Sequence, residues 1–468
     1  MLFSSIPFLY YFLPCVIALY FIVPRRLKNT VLLLSSLFFY GWGERRYLVF
    51  MLFSITQGYI FGILTEKFRG KRAAKLFLTL SVVLSLVLLG YCKYADFFIE
   101  NFNALTGLSL PLLKIALPIG ISFYTFQILS YVVDVYRGDV AAQKNYINLA
   151  AYISMFPQLI AGPIVRYADI EKQLTERTHS LDKAAAGIRR FVIGLSKKIL
   201  LANILGELVS TFKASDEKSV LFYWLYAAAY TLHVYFDFSG YSDMAIGLGK
   251  IFGFDFCENF NYPYISKSIT EFWRRWHISL GSWFRDYLYI PLGGNRVSKA
   301  RWIFNIAVVW MATGLWHGAA WNFVFWGGMF AVLLVLEKMC FAKFLEKAKG
   351  IRHVYVMLIV IVSFVVFDAG SLAEGFSNIG AMFGAGAVPL VTNEALYTLR
   401  SYAVIFVIAA VSATPILSRC GKRISESDSA LISAVSAVTE PIVIVILLAV
   451  CTAFLVDGSF NPFLYFRF

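Results

Sequence analysis

The sequence predicts an all-α protein that crosses a membrane many times. Apolar residues fill 59% of its 468 positions and charged residues only 15%, against about 25% charged in a soluble domain. Mean hydropathy is +0.69, and the apolar residues fall largely in runs approaching or reaching the roughly 20 positions that cross a bilayer core. The 42 Lys and Arg outnumber the 28 Asp and Glu, giving a net charge of +14. These cations gather in short loops between the apolar runs, as the positive-inside rule requires, so no nucleic-acid partner is expected.

Taken in order, residues 4–23 form the first apolar run. No Lys or Arg precedes it, so it reads as a retained span and not as a signal peptide. Arg25, Arg26 and Lys28 follow, which places the N-terminus outside and this loop in the cytoplasm. Runs at 31–42, 47–64 and 76–91 come next, with a second basic loop from Lys67 to Lys75. The run 112–136 is broken by Pro118 and Gly120, the mark of a kinked or re-entrant segment. A run at 146–164 leads to a charged, soluble-looking loop at 166–190, which is also expected in the cytoplasm. Residues 191–212 surround Lys197 and Lys198, whose stems are expected to snorkel to the interface. The long run 220–254 carries His233, Asp237 and Asp243, polar groups that face protein or water when at membrane depth. Spans at 302–341 (one or two), 354–367, 402–417 and 442–455 bring the count to eleven to thirteen segments in one domain, 1–468.

Between these spans lies a different pattern. Ser268-Ile269-Thr270-Glu271 has the S-x-x-E form of a capping box. Beyond it Phe272, Trp273, Trp276, Leu280, Trp283, Phe284, Tyr287 and Leu288 recur at helical spacing, with Arg274, Arg275, Arg285 and Asp286 off that stripe. The pattern predicts one amphipathic helix at the membrane surface, stopped by Pro291, Gly293 and Gly294. His277 falls on its apolar side.

Candidate chemistry centres on Gly314-Leu315-Trp316-His317-Gly318. A histidine in an apolar run is often a satisfied core residue. At membrane depth an ionisable group is a functional candidate by default, and imidazole titrates near neutrality. His277 balances evenly between an interfacial and a functional role. His233 reads as a hydrogen-bonded helix residue and His179 and His353 as loop or interface residues, while Asp237 and Asp243 could orient a histidine or pair with an arginine, structural pairing being the favoured role. Six scattered cysteines with no CxxC spacing imply neither a disulfide framework nor zinc. No G-x-S-x-G elbow, Walker A or HExxH motif occurs.

Several longer stretches carry a resemblance. They are Pro118-Ile119-Gly120-Ile121-Ser122-Phe123-Tyr124-Thr125-Phe126-Gln127, Phe156-Pro157-Gln158-Leu159-Ile160-Ala161-Gly162-Pro163-Ile164, and Tyr235-Phe236-Asp237-Phe238-Ser239-Gly240-Tyr241-Ser242-Asp243. With them stand Asn259-Phe260-Asn261-Tyr262-Pro263-Tyr264, Phe272-Trp273-Arg274-Arg275-Trp276-His277, Trp283-Phe284-Arg285-Asp286-Tyr287-Leu288 and Thr313-Gly314-Leu315-Trp316-His317-Gly318-Ala319. In this order, over about 115–325, they resemble the membrane-bound O-acyltransferase (MBOAT) family, in its bacterial branch of alginate and peptidoglycan O-acetyltransferase membrane subunits. The terminal stretch 461–468 also looks familial. Phe367-Asp368-Ala369 departs from the pattern, since many relatives have an arginine there.

The resemblance implies a ring of helices around a central funnel or tunnel in the bacterial cytoplasmic membrane. It implies that His317 is the near-invariant family histidine and His277 the second polar position. It further implies transfer of an acyl group, acetyl above all, from a cytoplasmic thioester to a hydroxyl on the outer side. The donor would be acetyl-CoA or an acyl carrier protein, with no metal, and a secreted or outer-face partner would complete the modification of a polysaccharide or peptidoglycan. The residues suit this chemistry. A hydroxyl attacking a thioester needs a base of near-neutral pKa and little water, and His317 in an apolar tunnel is the candidate. Trp316, Asn322 and nearby tyrosines are open choices for oxyanion stabilisation. Arg274, Arg275 and Arg285 are candidates to hold a carrier's phosphates, or else lipid headgroups. Two other readings remain at this level: D-alanyl transfer to teichoic acid, and a transporter or polysaccharide channel, for which broken helices are equally natural.

Overall fold

The computed structural model describes residues 1–341, 345, 347, 348 and 350–458; the terminal stretch 461–468 singled out in the sequence lies outside the described residues. Among the described residues every regular element is a helix and none is a strand. The described residues form two compact units, one of residues 1–191 with 244–257, the other of 192–243 with those from 258 to 458.

The first unit contains α1 (Leu13–Ile22), α2 (Lys28–Glu44), α3 (Leu48–Lys67), α4 (Arg72–Leu89), α5 (Ala95–Thr106), α6 (Ile121–Arg137) and α7 (Tyr146–Ser154). The expected break before α6 is present. Residues 107–118 are not helical, and Gly120 takes a φ of +75°, which only glycine adopts without cost. In α3 Gln57 donates to Ser85 at 2.9 Å and accepts from Ser81 at 3.0 Å, both on α4. Such bonds tie helices where lipid offers no competing partner. Phe3, Phe8, Phe12, Phe39 and Phe156 form a ring cluster with centroids as close as 4.7 Å. The helix α8 (Leu181–Ser196) begins inside the stretch 166–190 that the sequence reads as a loop. Its apolar residues repeat at helical spacing while the opposite side carries the charges, so the charge count alone had the look of a loop.

The second unit contains α9 (Ile204–Ala214), the larger part of α10 (Val220–Ile251), α11 (Ile269–Arg275), α12 (Ile278–Phe284), α13 (Lys299–His317), α14 (Trp321–Leu336), α15 (Ile351–Asp368), α16 (Leu372–Met382), α17 (Asn393–Ser412), α18 (Ile416–Ser425) and α19 (Ala430–Val456). The expected snorkelling of Lys198 does not occur. Lys198 is buried and meets Asp237 at 2.5 Å, and Lys197 meets Asp243 at 2.6 Å. A carboxylate within reach makes an inward lysine cheaper than its stem alone would suggest. The aspartates form the structural pairs expected of them, but with lysines and not with an arginine. His233 is the hydrogen-bonded helix residue the sequence suggests, its Nδ1 lying 2.6 Å from the Ala202 carbonyl.

Among the described residues, six continuous helical stretches are long and apolar enough to cross a membrane: Arg25–Lys67, Arg72–Thr106, Trp321–Phe341, Ile351–Asp368, Asn393–Ser412 and Ala430–Val456. The chain is a multi-pass membrane protein.

Candidate active site

The site is built in the second unit, around the start of α11. Ser268 Oγ accepts the Glu271 N–H at 3.0 Å, and the Glu271 carboxylate reaches back to the Lys267 N–H at 2.9 Å. The capping residues named from the sequence therefore cap the helix, with the carboxylate bonding one residue earlier than in the usual box. Glu337 adds a second cap, accepting the Ile269 and Thr270 N–H groups at 2.6 and 3.0 Å.

The single amphipathic helix expected here is in fact two. Trp276 is extended (φ −100°, ψ 129°) and His277 is left-handed (φ 45°, ψ 54°), which separates α11 from α12. The cause lies upstream. In an unbroken helix the Arg275 carbonyl would accept the Ser279 N–H. Here it accepts the Asn261 N–H at 2.9 Å, while the Ile278 N–H goes to the Asn259 carbonyl at 2.9 Å and the Ser279 N–H to Asn259 Oδ1 at 3.3 Å. Segment 259–261 thus takes over the hydrogen bonds that would have carried the helix through. Trp276 anchors the break against Phe260, Phe272 and Phe364, with centroids at 5.1, 5.6 and 5.4 Å.

The second histidine closes α13. This helix approaches α14 closely: a Cβ on Gly314 would strike the Phe323 carbonyl, and one on Gly327 the Trp310 carbonyl. The contact brings His317 against Trp316, Trp326 and Phe367, at 5.0, 5.3 and 5.3 Å between centroids. The same Trp316 ring packs on His277 at 5.6 Å, and Phe238 meets His277 edge-on at 4.7 Å. Both histidines are buried, and one indole touches both. His277 lies outside the six long apolar stretches. Burial, and after it the neighbouring His317, holds its imidazole well below its ordinary pKa, so it is neutral at pH 7.

His277 lines a cavity of about 1080 Å³. Its apolar wall includes Trp273, Trp276, Trp302 and Trp310, and its cations are Lys267, Arg274, Arg285, Lys338 and Arg352, with Glu271 and Glu337 as carboxylates. Of the three arginines named from the sequence, Arg274 and Arg285 are therefore on the cavity and Arg275 is not. Arg275 Nε donates to Glu271 at 2.9 Å and its Nη1 to the Asn261 carbonyl at 3.0 Å. Arg285 forks onto Asp286 at 2.7 and 3.0 Å. His317, Trp316 and Asn322 are not among the lining residues. Asn322 spends its amide N–H groups on the Ala369 and Val366 carbonyls at 2.9 and 3.4 Å, which leaves an acceptor oxygen and no donor for an oxyanion. Lys338 and Arg352 were missed in the sequence. Each stands at the end of an apolar run, a place that reads as a membrane anchor.

Residues 136–373 match the family model of MBOAT, the membrane-bound O-acyltransferase family. The chain belongs to the MBOAT family. It is an O-acyltransferase, and the matched stretch includes both histidines and the cavity. The MBOAT chain is 40% identical over its whole length to the whole of a probable alginate O-acetylase, AlgI, of Azotobacter vinelandii. It is 34% identical to the peptidoglycan O-acetyltransferase of Helicobacter pylori, over 72% of this chain and 70% of that one. Similarity to the teichoic acid D-alanyltransferase of Bacillus subtilis is 32% identity over 52% of this chain and 65% of the relative. Membership in an acyltransferase family sets aside the transporter reading.

Proposed function

We propose that the chain transfers an acetyl group from a cytoplasmic thioester to a hydroxyl of an exported polysaccharide or of peptidoglycan. One observation carries the mechanism: two buried imidazoles share the Trp316 ring, and one of them lines a cavity that joins tryptophans to cations. In this reading the thioester arm occupies the cavity. Arg274, Lys338 and Arg352 meet the phosphates of acetyl-CoA or of a carrier protein, Arg285 does so if it leaves Asp286, and Arg275 stays with Glu271. His317 takes the proton of the acceptor hydroxyl as its oxygen bonds to the thioester carbonyl carbon. The carbon–sulfur bond then breaks, and the departing thiolate takes the proton from the imidazolium. His317 is the last residue of α13, so the negative pole of that helix faces the imidazolium. The tryptophans exclude water, which would otherwise hydrolyse the thioester. Trp316 stays an oxyanion-donor candidate; Asn322 serves as support for the α15 end.

An outer-face partner receives or presents the acceptor, and the surrounding lipid is the chain's other partner. The acetyl reading is favoured over D-alanyl transfer because the similarity to an acetylase spans the whole chain and that to a D-alanyltransferase about half of it. The test is ester-linked acetyl released from the exported polymer. His317→Ala should lower it by about 10²–10⁴-fold, and His277→Ala less, at unchanged protein level and Tm. Full release from a folded His317→Ala protein would remove His317 as the base.

A further inference from the structure

His277 Nδ1 lies 3.1 Å from Asn259 Oδ1. The same oxygen receives the Ser279 N–H at 3.3 Å and the Ser279 hydroxyl at 2.8 Å, while Asn259 Nδ2 donates to Ser242 Oγ at 3.1 Å. A backbone N–H can only donate, so the atom that receives it is the amide oxygen, and the side chain is fixed in that orientation. The Nδ1 of His277 must then carry the proton, because two acceptors cannot bond each other. In the neutral ring this leaves the lone pair on Nε2. That Nε2 is buried, has no hydrogen-bond partner among the described residues, and belongs to a side chain on the cavity wall.

We propose that Asn259 is a positioning residue of the donor site, which holds His277 in the Nδ1–H tautomer so that Nε2 accepts a hydrogen bond from the acyl donor. This rests on the cavity being the donor site. The chemistry narrows what the lone pair meets. An Nε2 without a proton cannot stabilise an oxyanion, so His277 is not the oxyanion donor. A thioester carried on an amide-containing arm presents N–H groups along its length, and one of these meets Nε2 and sets the carbonyl for attack. Asn259 and Ser242 come from different parts of the chain, residues 242 and 259, and both are buried. The arrangement therefore costs polar groups that an apolar core would not have required.

The tautomer can be read directly. Solid-state NMR of protein with ¹⁵N-labelled histidine, with His277→Gln used to assign the signal, should show a protonated Nδ1 and an unprotonated Nε2 at pH 7. Asn259→Leu should lose this pattern, and ester-linked acetyl released in cells should drop by about tenfold to a hundredfold, as when an orienting partner is removed. Asn259→Asp offers carboxylate oxygens to the same donors, so it should keep the Nδ1 proton and lose less than the roughly tenfold expected when an orienting partner is removed. A proton on Nε2 in the parent, or an unchanged tautomer in folded Asn259→Leu, would overturn the assignment. If Asn259→Leu does not fold, the parent spectrum and Asn259→Asp still decide it. Full activity in His277→Ala would instead remove the donor-site reading and leave the tautomer result standing.

Discussion

The carboxylate of Glu337 accepts the backbone N–H of Ile269 at 2.6 Å. The two residues come from different helical segments, yet the buried acid supplies the N-terminal cap of α11, and with it the approach to His277.

Removing that cap leaves helix N–H groups without a partner in a dry place. Glu337→Ala should destabilise the protein by about 1–3 kcal/mol, read as a lower Tm in detergent. Ser268→Ala should cost on the order of 1 kcal/mol. Equal Tm for Glu337→Ala and the parent would mean that water replaces the carboxylate.

The buried pair of Lys198 and Asp237 should respond asymmetrically. Asp237→Asn leaves a buried ammonium without its counter-charge and should cost about 3–5 kcal/mol. The double change Lys198→Met with Asp237→Leu removes both charges and should be milder than either single charge removal. Denaturation of Asp237→Asn, Lys198→Met and the double variant in detergent checks the order, and additive losses would count against the pair.

A methyl group at Gly314 has no room. Gly314→Ala should push α13 away from α14, with an overpacking cost of about 1–3 kcal/mol, and acetyl release should fall further than stability because His317 ends the same helix. A variant with normal Tm and normal release would show that the two helices can separate without moving the histidine.

The loops give a test of orientation. Arg26→Cys, Lys71→Cys and Lys172→Cys, each in a cysteine-free background, should resist a membrane-impermeant thiol reagent in intact cells and react after lysis, as the clustered cations require. Ready labelling of two of the three in intact cells would reverse the topology.

What the sequence shows depends on how local the cause is. Pro118 and Gly120 announce the break before α6 because one lacks an N–H and the other takes a positive φ, both properties of single residues. Ser268 and Glu271 announce the cap of α11 for the same reason. The break at Trp276 and His277 leaves no such mark, because the apolar spacing runs on through it. Its cause, the 259–261 segment, acts through backbone groups that any residue carries. Lys198 is similar: the stretch around it says snorkel, and only the fold brings Asp237, 39 positions later, to meet it. The family motifs led to His277 and His317, whereas the cations Lys338 and Arg352 were hidden among residues that serve equally well as anchors.

The hydrogen bonds that set the His277 backbone and orient its ring come from residues 259–279, one short piece of chain, while its ring contacts come from Phe238 and Trp316. That piece is held in turn by later chain, with Glu337 capping α11 and Phe364 packing on Trp276. His317 follows 40 positions behind, and its neighbour Trp316 closes on the His277 ring. The bend at His277 is thus local in its cause, while the seat around it is complete only once the chain has been made through Phe364.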